Sequence, residues 1–168
     1  VMHGSPDAPP VDIYIEGVDE PVITDLAYAQ TTGFLPVPEG EYNFQVYAAG
    51  ADPMEDDPVI ETGAVMIEID AKYTVLARGL LGAEEDQGEF GLELYVENFE
   101  AVADDTVRAR IVHAGADAPA VDIDIYDANA EASCGEEREI VDFERFAETG
   151  EAGVELPAID GLNVAVCA

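Results

Sequence analysis

Apolar and polar residues alternate with a period of two along most of this 168-residue chain, which is the signature of strands with one buried face. Val11, Ile13 and Ile15 alternate with Asp12, Tyr14 and Glu16, and Tyr42, Phe44 and Val46 with Asn43, Gln45 and Tyr47. Val65, Ile67 and Ile69 alternate with Met66, Glu68 and Asp70. Tyr73, Val75 and Ala77 begin another strand, and Phe90, Leu92, Leu94 and Val96 alternate with Gly91, Glu93, Tyr95 and Glu97. A strand ending near His3 and a short one over residues 34–37 bring the first hundred residues to about seven. Turn-forming residues separate them: Ser5, Pro6 and Asp7 with Pro9 and Pro10, then Pro38 with Gly40, then residues 50–58 and 82–88. One helical turn is expected over residues 25–29, capped by Asp25. Short strands broken by turns at this frequency predict an all-β chain of immunoglobulin-like antiparallel β-sandwiches.

The pattern also repeats. Residues 1–15 read V-M-H-G-S-P-D-A-P-P-V-D-I-Y-I and residues 111–125 read I-V-H-A-G-A-D-A-P-A-V-D-I-D-I, identical at eight positions. A repeat at domain-sized spacing means one folding unit used in tandem, with a first copy over residues 1–103 and a second, shortened copy over 104–168. Further on, Ala147, Glu148, Thr149 and Gly150 echo residues 29–33. Leu156, Pro157, Gly161, Leu162, Val164 and Val166 echo Leu35, Pro36, Gly40, Tyr42, Phe44 and Val46. Nothing in the second copy corresponds to the last three strands of the first. Val1 aligns with Ile111, inside a strand beginning near Val107, so the expectation is a mature or trimmed chain. Three accounts of the short second copy stand side by side: truncation, a shorter variant closed by a disulfide, or strands supplied by a neighbouring molecule. Without one of them a half sandwich leaves an unpaired edge and an uncovered apolar face.

The block H-G-S-P-D-A-P-P-V-D-I-Y-I, its second copy, V-P-E-G-E-Y at 37–42 and Y-T-V at 73–75 together resemble the domain of unknown function 4397 family. The resemblance covers the first copy and the front of the second, which departs from it in carrying Gly115 and Ala116 for Ser5 and Pro6. It implies an exported or cell-surface β-sandwich, often in tandem, and it implies no catalytic activity.

Charge narrows the partners. With 38 acidic residues, 6 basic ones and a single lysine, Lys72, the formal charge is −32. Nucleic acids and anionic membranes are repelled, because their binding rests on basic residues releasing counterions. Such a surplus destabilises the compact state unless salt, divalent cations or a cationic partner screens it, and the scarcity of lysine fits a salt-loving source. No apolar run approaches the length of a membrane span. The two cysteines, Cys134 and Cys167, are expected to form a disulfide in a secreted chain.

Candidate chemistry is sparse. His3 and His113 are the only histidines, and alternation places each on the inward face at a strand end, bonded to the Asp-Ala-Pro turn that follows. Asp7 and Asp117 are expected to bond their own backbone as Asx-turns, while Asp12 and Asp122 point outward and pair with the histidine-bearing turn. Three loops have the composition of calcium sites, which need several oxygens at one point. They are Asp52 with Glu55, Asp56 and Asp57; Glu84, Glu85 and Asp86 with Glu89; and Asp127, Asn129 and Glu131. In the third, Ala132 stands where a calcium loop needs glycine and Arg138 where it needs a bidentate glutamate. Ser5 has no counterpart in the second copy, tryptophan is absent, and no phosphate-binding loop or nucleophile elbow occurs. These observations describe a non-enzymatic extracellular structural or interaction module, self-associating or binding other surface proteins. Its specific form is a subunit of a cell-surface fibre or layer joined by strand exchange. The alternative is a calcium-dependent adhesion or ligand-binding module.

Overall fold

The computed structural model describes residues 1–83, 88–97, 100, 102–127, 134, 138–158 and 161–167. The chain is all-β and divides into two units, Val1–Glu97 and Asn98–Ala168, a few residues ahead of the boundary that the repeat suggests. Among the described residues no helix is long and apolar enough to cross a membrane.

The first unit has seven strands: β1 (Met2–His3), β2 (Val11–Ile15), β3 (Ile23–Leu26), β4 (Gly40–Ala48), β5 (Ile60–Ile67), β6 (Tyr73–Arg78) and β7 (Gly91–Val96). They form a four-stranded antiparallel sheet in the order β3-β2-β4-β5 and a three-stranded sheet in the order β1-β6-β7, in which β1 runs parallel to β6. The alternation read from the sequence sets the buried face. Val11, Ile13, Ile23, Leu26 and Val46 form the core of the larger sheet, and Val1, Phe44, Ile60 and Leu92 pack against it. Leu92 comes from the other sheet, so the two sheets face each other as a sandwich.

Three expectations are corrected here. Residues 25–29 are not a helical turn: β3 carries a bulge, with Asp25 at φ 52°, because three residue steps from Ile23 to Leu26 oppose two from Ile13 to Val11. Aspartate tolerates this left-handed conformation better than most side chains. Residues 34–37 form no strand, and Leu35 is 50% exposed. β5 begins at Ile60, earlier than the alternation around Val65 suggests, and Ile69 lies beyond its end in solvent.

The second unit has β8 (Thr106–Ala109), β9 (Val121–Asp127), β10 (Ile140–Phe143), β11 (Val154–Pro157) and β12 (Leu162–Cys167). β10-β9-β12 form one antiparallel sheet and β11-β8 a two-stranded ribbon. The registers reproduce those of the first unit. Ile13 faces Val46 and Ile15 faces Phe44; Ile123 faces Val166 and Ile125 faces Val164. Likewise Val11 faces Leu26 and Val121 faces Phe143. β9, β10 and β12 are therefore β2, β3 and β4 again, bulge included, with Asp142 at φ 50° in the place of Asp25.

Gly79 shows how tightly the first unit closes. It has φ +87°, and a Cβ there would lie 2.1 Å from the carbonyl oxygen of Glu89. Gly50 has a similar φ of +81° but open space around it. Gly79→Ala is expected to destabilise the unit by roughly 3 kcal/mol or more, through strain plus backbone displacement, whereas Gly50→Ala costs about 1–2 kcal/mol from strain alone. Urea denaturation of the two variants checks the ranking; equal losses would remove the steric account.

Candidate functional site

The repeated histidines are wired identically. His3 is fully buried; its Nδ1 accepts the Ser5 backbone N–H at 3.4 Å and its Nε2 lies 3.0 Å from the Pro9 carbonyl oxygen. Since a backbone nitrogen can only donate, Nδ1 is the acceptor, and the ring proton on Nε2 is donated to Pro9. His113 repeats this with Gly115 N–H at 3.3 Å and Pro119 O at 3.0 Å. The strand behind each ring is tied equivalently: His3 N–H donates to Gln30 O and His113 N–H to Ala147 O, both at 3.0 Å. Each imidazole thus holds the five residues after it in a closed turn that delivers the chain to β2 or β9.

His3, Ser5 and Asp7 fall close together, but not as a nucleophile and its base. Ser5 is fully buried, meets the imidazole through its backbone N–H, and donates its hydroxyl to Asp7 Oδ1 at 3.2 Å. A catalytic serine needs its oxygen, not its amide, on the base. Asp7 also accepts the Leu81 N–H at 3.1 Å, so it bridges the turn to residues after β6 instead of bonding its own backbone as an Asx-turn.

Asp12 and Asp122 depart from expectation too. They do not reach the histidine turn. Asp12 Oδ1 accepts the Asp25 N–H at 2.7 Å and Oδ2 the Gly50 N–H at 2.9 Å. Asp122 Oδ1 accepts the Asp142 N–H at 2.7 Å, and its Oδ2 is paired with Arg138. Each carboxylate satisfies the amide that its bulge turns out of the ladder. Arg138, which stands where a calcium loop would need its glutamate, supplies what Gly50 supplies in the first unit. The signal is compositional: with six basic residues against 38 acidic ones, each cation has carboxylates competing for it, and Arg78–Glu93, Arg108–Glu155 and Arg110–Glu148 are also ion pairs.

The acidic loop at residues 52–57 does not converge on a metal position. Asp52 Oδ1 accepts the Met54 N–H and Asp56 Oδ2 the Asp52 N–H, both at 2.9 Å, so these carboxylates close their own loop. Asp127 ends β9 opposite Leu162. Glu84, Glu85, Asp86, Asn129 and Glu131 lie outside the described residues. Among the described residues no three histidine, cysteine, aspartate or glutamate side chains form a metal-ligating group.

On the outer face of the larger sheet, Tyr14 and Tyr47 pack edge to face at 5.3 Å, both buried. Burial holds the Tyr47 hydroxyl above the ordinary tyrosine range, reinforced by Glu61, Asp57 and Tyr14. Tyr47 sits opposite Asp12; the residue opposite Asp122 is Cys167, disulfide-bonded to Cys134. A covalent staple therefore occupies in one unit the place of an aromatic pair in the other.

The units differ most at β4 and β12. Val46 is 2% exposed; Val166, in the same register, is 66% exposed, and Val164 is 59% exposed. In the first unit Ile60 of β5 and Leu92 of β7 pack against this face. In the second, Ile111, Ala147 and Leu156 pack around Ile123, Ile125 and Phe143, while β12 is the terminal strand of its sheet. Val164 and Val166 are thus exposed, and among the described residues no strand pairs with the second edge of β12.

A family model described as Domain of unknown function (DUF4397) matches residues 1–124. No curated protein and no solved structure matches the chain.

Three outcomes follow from this geometry. His3→Ala strands the Ser5 N–H and Pro9 carbonyl in a buried turn and is expected to cost about 2–4 kcal/mol by urea denaturation; a loss under 0.5 kcal/mol would contradict the clamp. Reducing the Cys134–Cys167 bridge, whose ends are 33 positions apart in the sequence, should lower stability by about 3–4 kcal/mol, localised by amide exchange to the second unit. Because Tyr47 is held protonated in the fold, its contribution is full below about pH 10, the unfolded value, and is lost as pH rises through its folded value. Tyr47→Phe should therefore flatten the alkaline loss of stability, measured by melting temperature from pH 9 to 12.

Proposed function

The chain belongs to the Domain of unknown function (DUF4397) family, and we propose that this member is a non-enzymatic structural and interaction module whose second unit takes up a strand from a neighbour. The observation that carries the reading is the contrast between Val46 and Val166, buried and exposed at one register position. An edge strand presents unpaired N–H and C=O groups that template another strand, and proteins ordinarily blunt it with charge, proline or a cover. β12 carries neither charge nor proline, and among the described residues no strand pairs with its outer edge. Strand addition supplies main-chain hydrogen bonds for affinity and side-chain pockets for specificity.

The medium in which it works follows from two further features. A disulfide closing the second unit suits an oxidising compartment outside the cytosol. A formal charge of −32 suits high salt, where self-repulsion is screened. A surface fibre or layer built from such units is the assembly this reading describes. The histidine, serine and aspartate wiring supports a structural role for the repeat motif.

A synthetic peptide of residues 59–68, which contains the β5 strand that covers this position in the first unit, is the direct probe. Mixed in excess with the full chain, it is expected to slow amide exchange over residues 162–167 tenfold or more and saturably. No binding up to millimolar peptide, with exchange unchanged, would overturn the proposal.

A further inference from the structure

Two aspartyl–prolyl bonds, Asp52–Pro53 and Asp57–Pro58, lie in the loop between β4 and β5, and the fold treats them differently. We infer that the chain cuts itself at the first of them, with the Asp52 carboxylate as nucleophile and the Asp52–Pro53 peptide bond as the one that breaks. The reaction is a single turnover on the chain's own backbone and is independent of the strand-accepting reading above.

The main-chain carbonyl oxygen of Asp52 accepts two N–H groups, from Glu55 at 2.9 Å and from Asp56 at 2.8 Å. Two amides so placed polarise the carbonyl and stay in position for the negative charge its oxygen gains on attack. The Asp52 side chain is fixed as well: Oδ1 accepts the Met54 N–H at 2.9 Å, while among the described residues nothing donates to Oδ2, whose lone pairs are left for attack. The Asp52 N–H in turn donates to Asp56 Oδ2 at 2.9 Å. One residue thus carries both nucleophile and electrophile and is held at four points, so attack waits on no encounter. Asp57 has the same chemistry before Pro58, but among the described residues no group donates to its carbonyl oxygen or its carboxylate. The two bonds therefore differ in support and not in kind.

In the step itself a carboxylate oxygen of Asp52 bonds to the Asp52 carbonyl carbon. The bond from that carbon to the Pro53 nitrogen breaks, and the nitrogen takes a proton from solvent and leaves as a secondary amine. Water then opens the five-membered anhydride on Asp52, giving it a free α-carboxylate; the net reaction consumes one water. Because the leaving nitrogen needs a proton, the rate rises with acidity. The titratable groups around the bond are Glu55, Asp56 and Asp57 in the loop, Asp12 of β2 bonded at Gly50, and Tyr47 and Glu61 on β4 and β5. The products, residues 1–52 and 53–168, stay together through the pairing of β4 with β5, so the result is a nicked but folded unit.

The test is incubation of the full chain at about pH 5 and 37 °C for several days, with denatured samples read by mass spectrometry. Fragments 1–52 and 53–168 are expected to accumulate at least tenfold faster than 1–57 and 58–168, and at least fivefold more slowly at pH 7. In concentrated urea at the same pH the two bonds should break at rates within about twofold of each other, since the preference comes from the fold. Asp52→Asn keeps an acceptor for the Met54 N–H but removes the carboxylate, and should slow the first cut at least thirtyfold while the second is unchanged. Pro53→Ala, which keeps the carboxylate and every hydrogen bond named above, should do the same by worsening the leaving group. Amide exchange over β4 and β5 checks that both variants stay folded. A folded chain cut at similar rates at both bonds, a preference that persists in urea, a cut indifferent to Asp52→Asn, or a chain that stays whole each overturns the inference.

Discussion

The fold of each unit depends on a buried imidazole bonded at both ring nitrogens to the turn that follows it. His3 and His113 each accept one backbone N–H and donate to one proline carbonyl. Leaving either group unsatisfied in the interior costs more than the bond itself contributes, so the turn has one conformation. That conformation sets where β2 and β9 begin, and hence which of their residues face the core. The second unit keeps the clamp although, among its described residues, no strand corresponds to β6, the strand beside His3 in the first unit. The clamp is therefore a local device, and its recurrence explains why the 15-residue block is the most alike stretch of the two copies.

A second constraint is the use of acid inside the fold. Asp12 and Asp122 sit half within the sheet, each receiving the amide that a bulge turns away from its partner strand. Asp7 ties the histidine turn to Leu81. These carboxylates are structural, and most of the remaining surplus lies in solvent with few cations to answer it.

Among the described residues the first unit pairs β4 with β5 and sets the β1-β6-β7 sheet against that face, whereas the second holds the β8–β11 ribbon. Leu156 packs in the second core, whereas Leu35, its echo, is half exposed. Val46 is buried, whereas Val166 is not. One folding plan thus appears twice, and each copy serves as a guide to the other.

Much of this was legible from residues alone. Alternation through Val11, Ile13 and Ile15 and through Tyr42, Phe44 and Val46 determined two central strands and their inward faces, because the period of a strand is a property of the backbone. The repeat determined that β12 stands where β4 does, and the inward position of both histidines. The sequence could not decide which group each carboxylate would meet. Asp12 was expected at the histidine turn, but the amides it binds belong to Asp25 and Gly50, 13 and 38 residues away. Nor did it show that residues 34–37 stay outside a strand, since that depends on a partner strand rather than on propensity. The exposure of Val164 and Val166 was equally hidden: their alternation is that of buried residues, and burial is settled only by what packs on the opposite side. Local periodicity chose the strands and their faces; contacts between distant segments chose the partners of the charges and left one of those faces open.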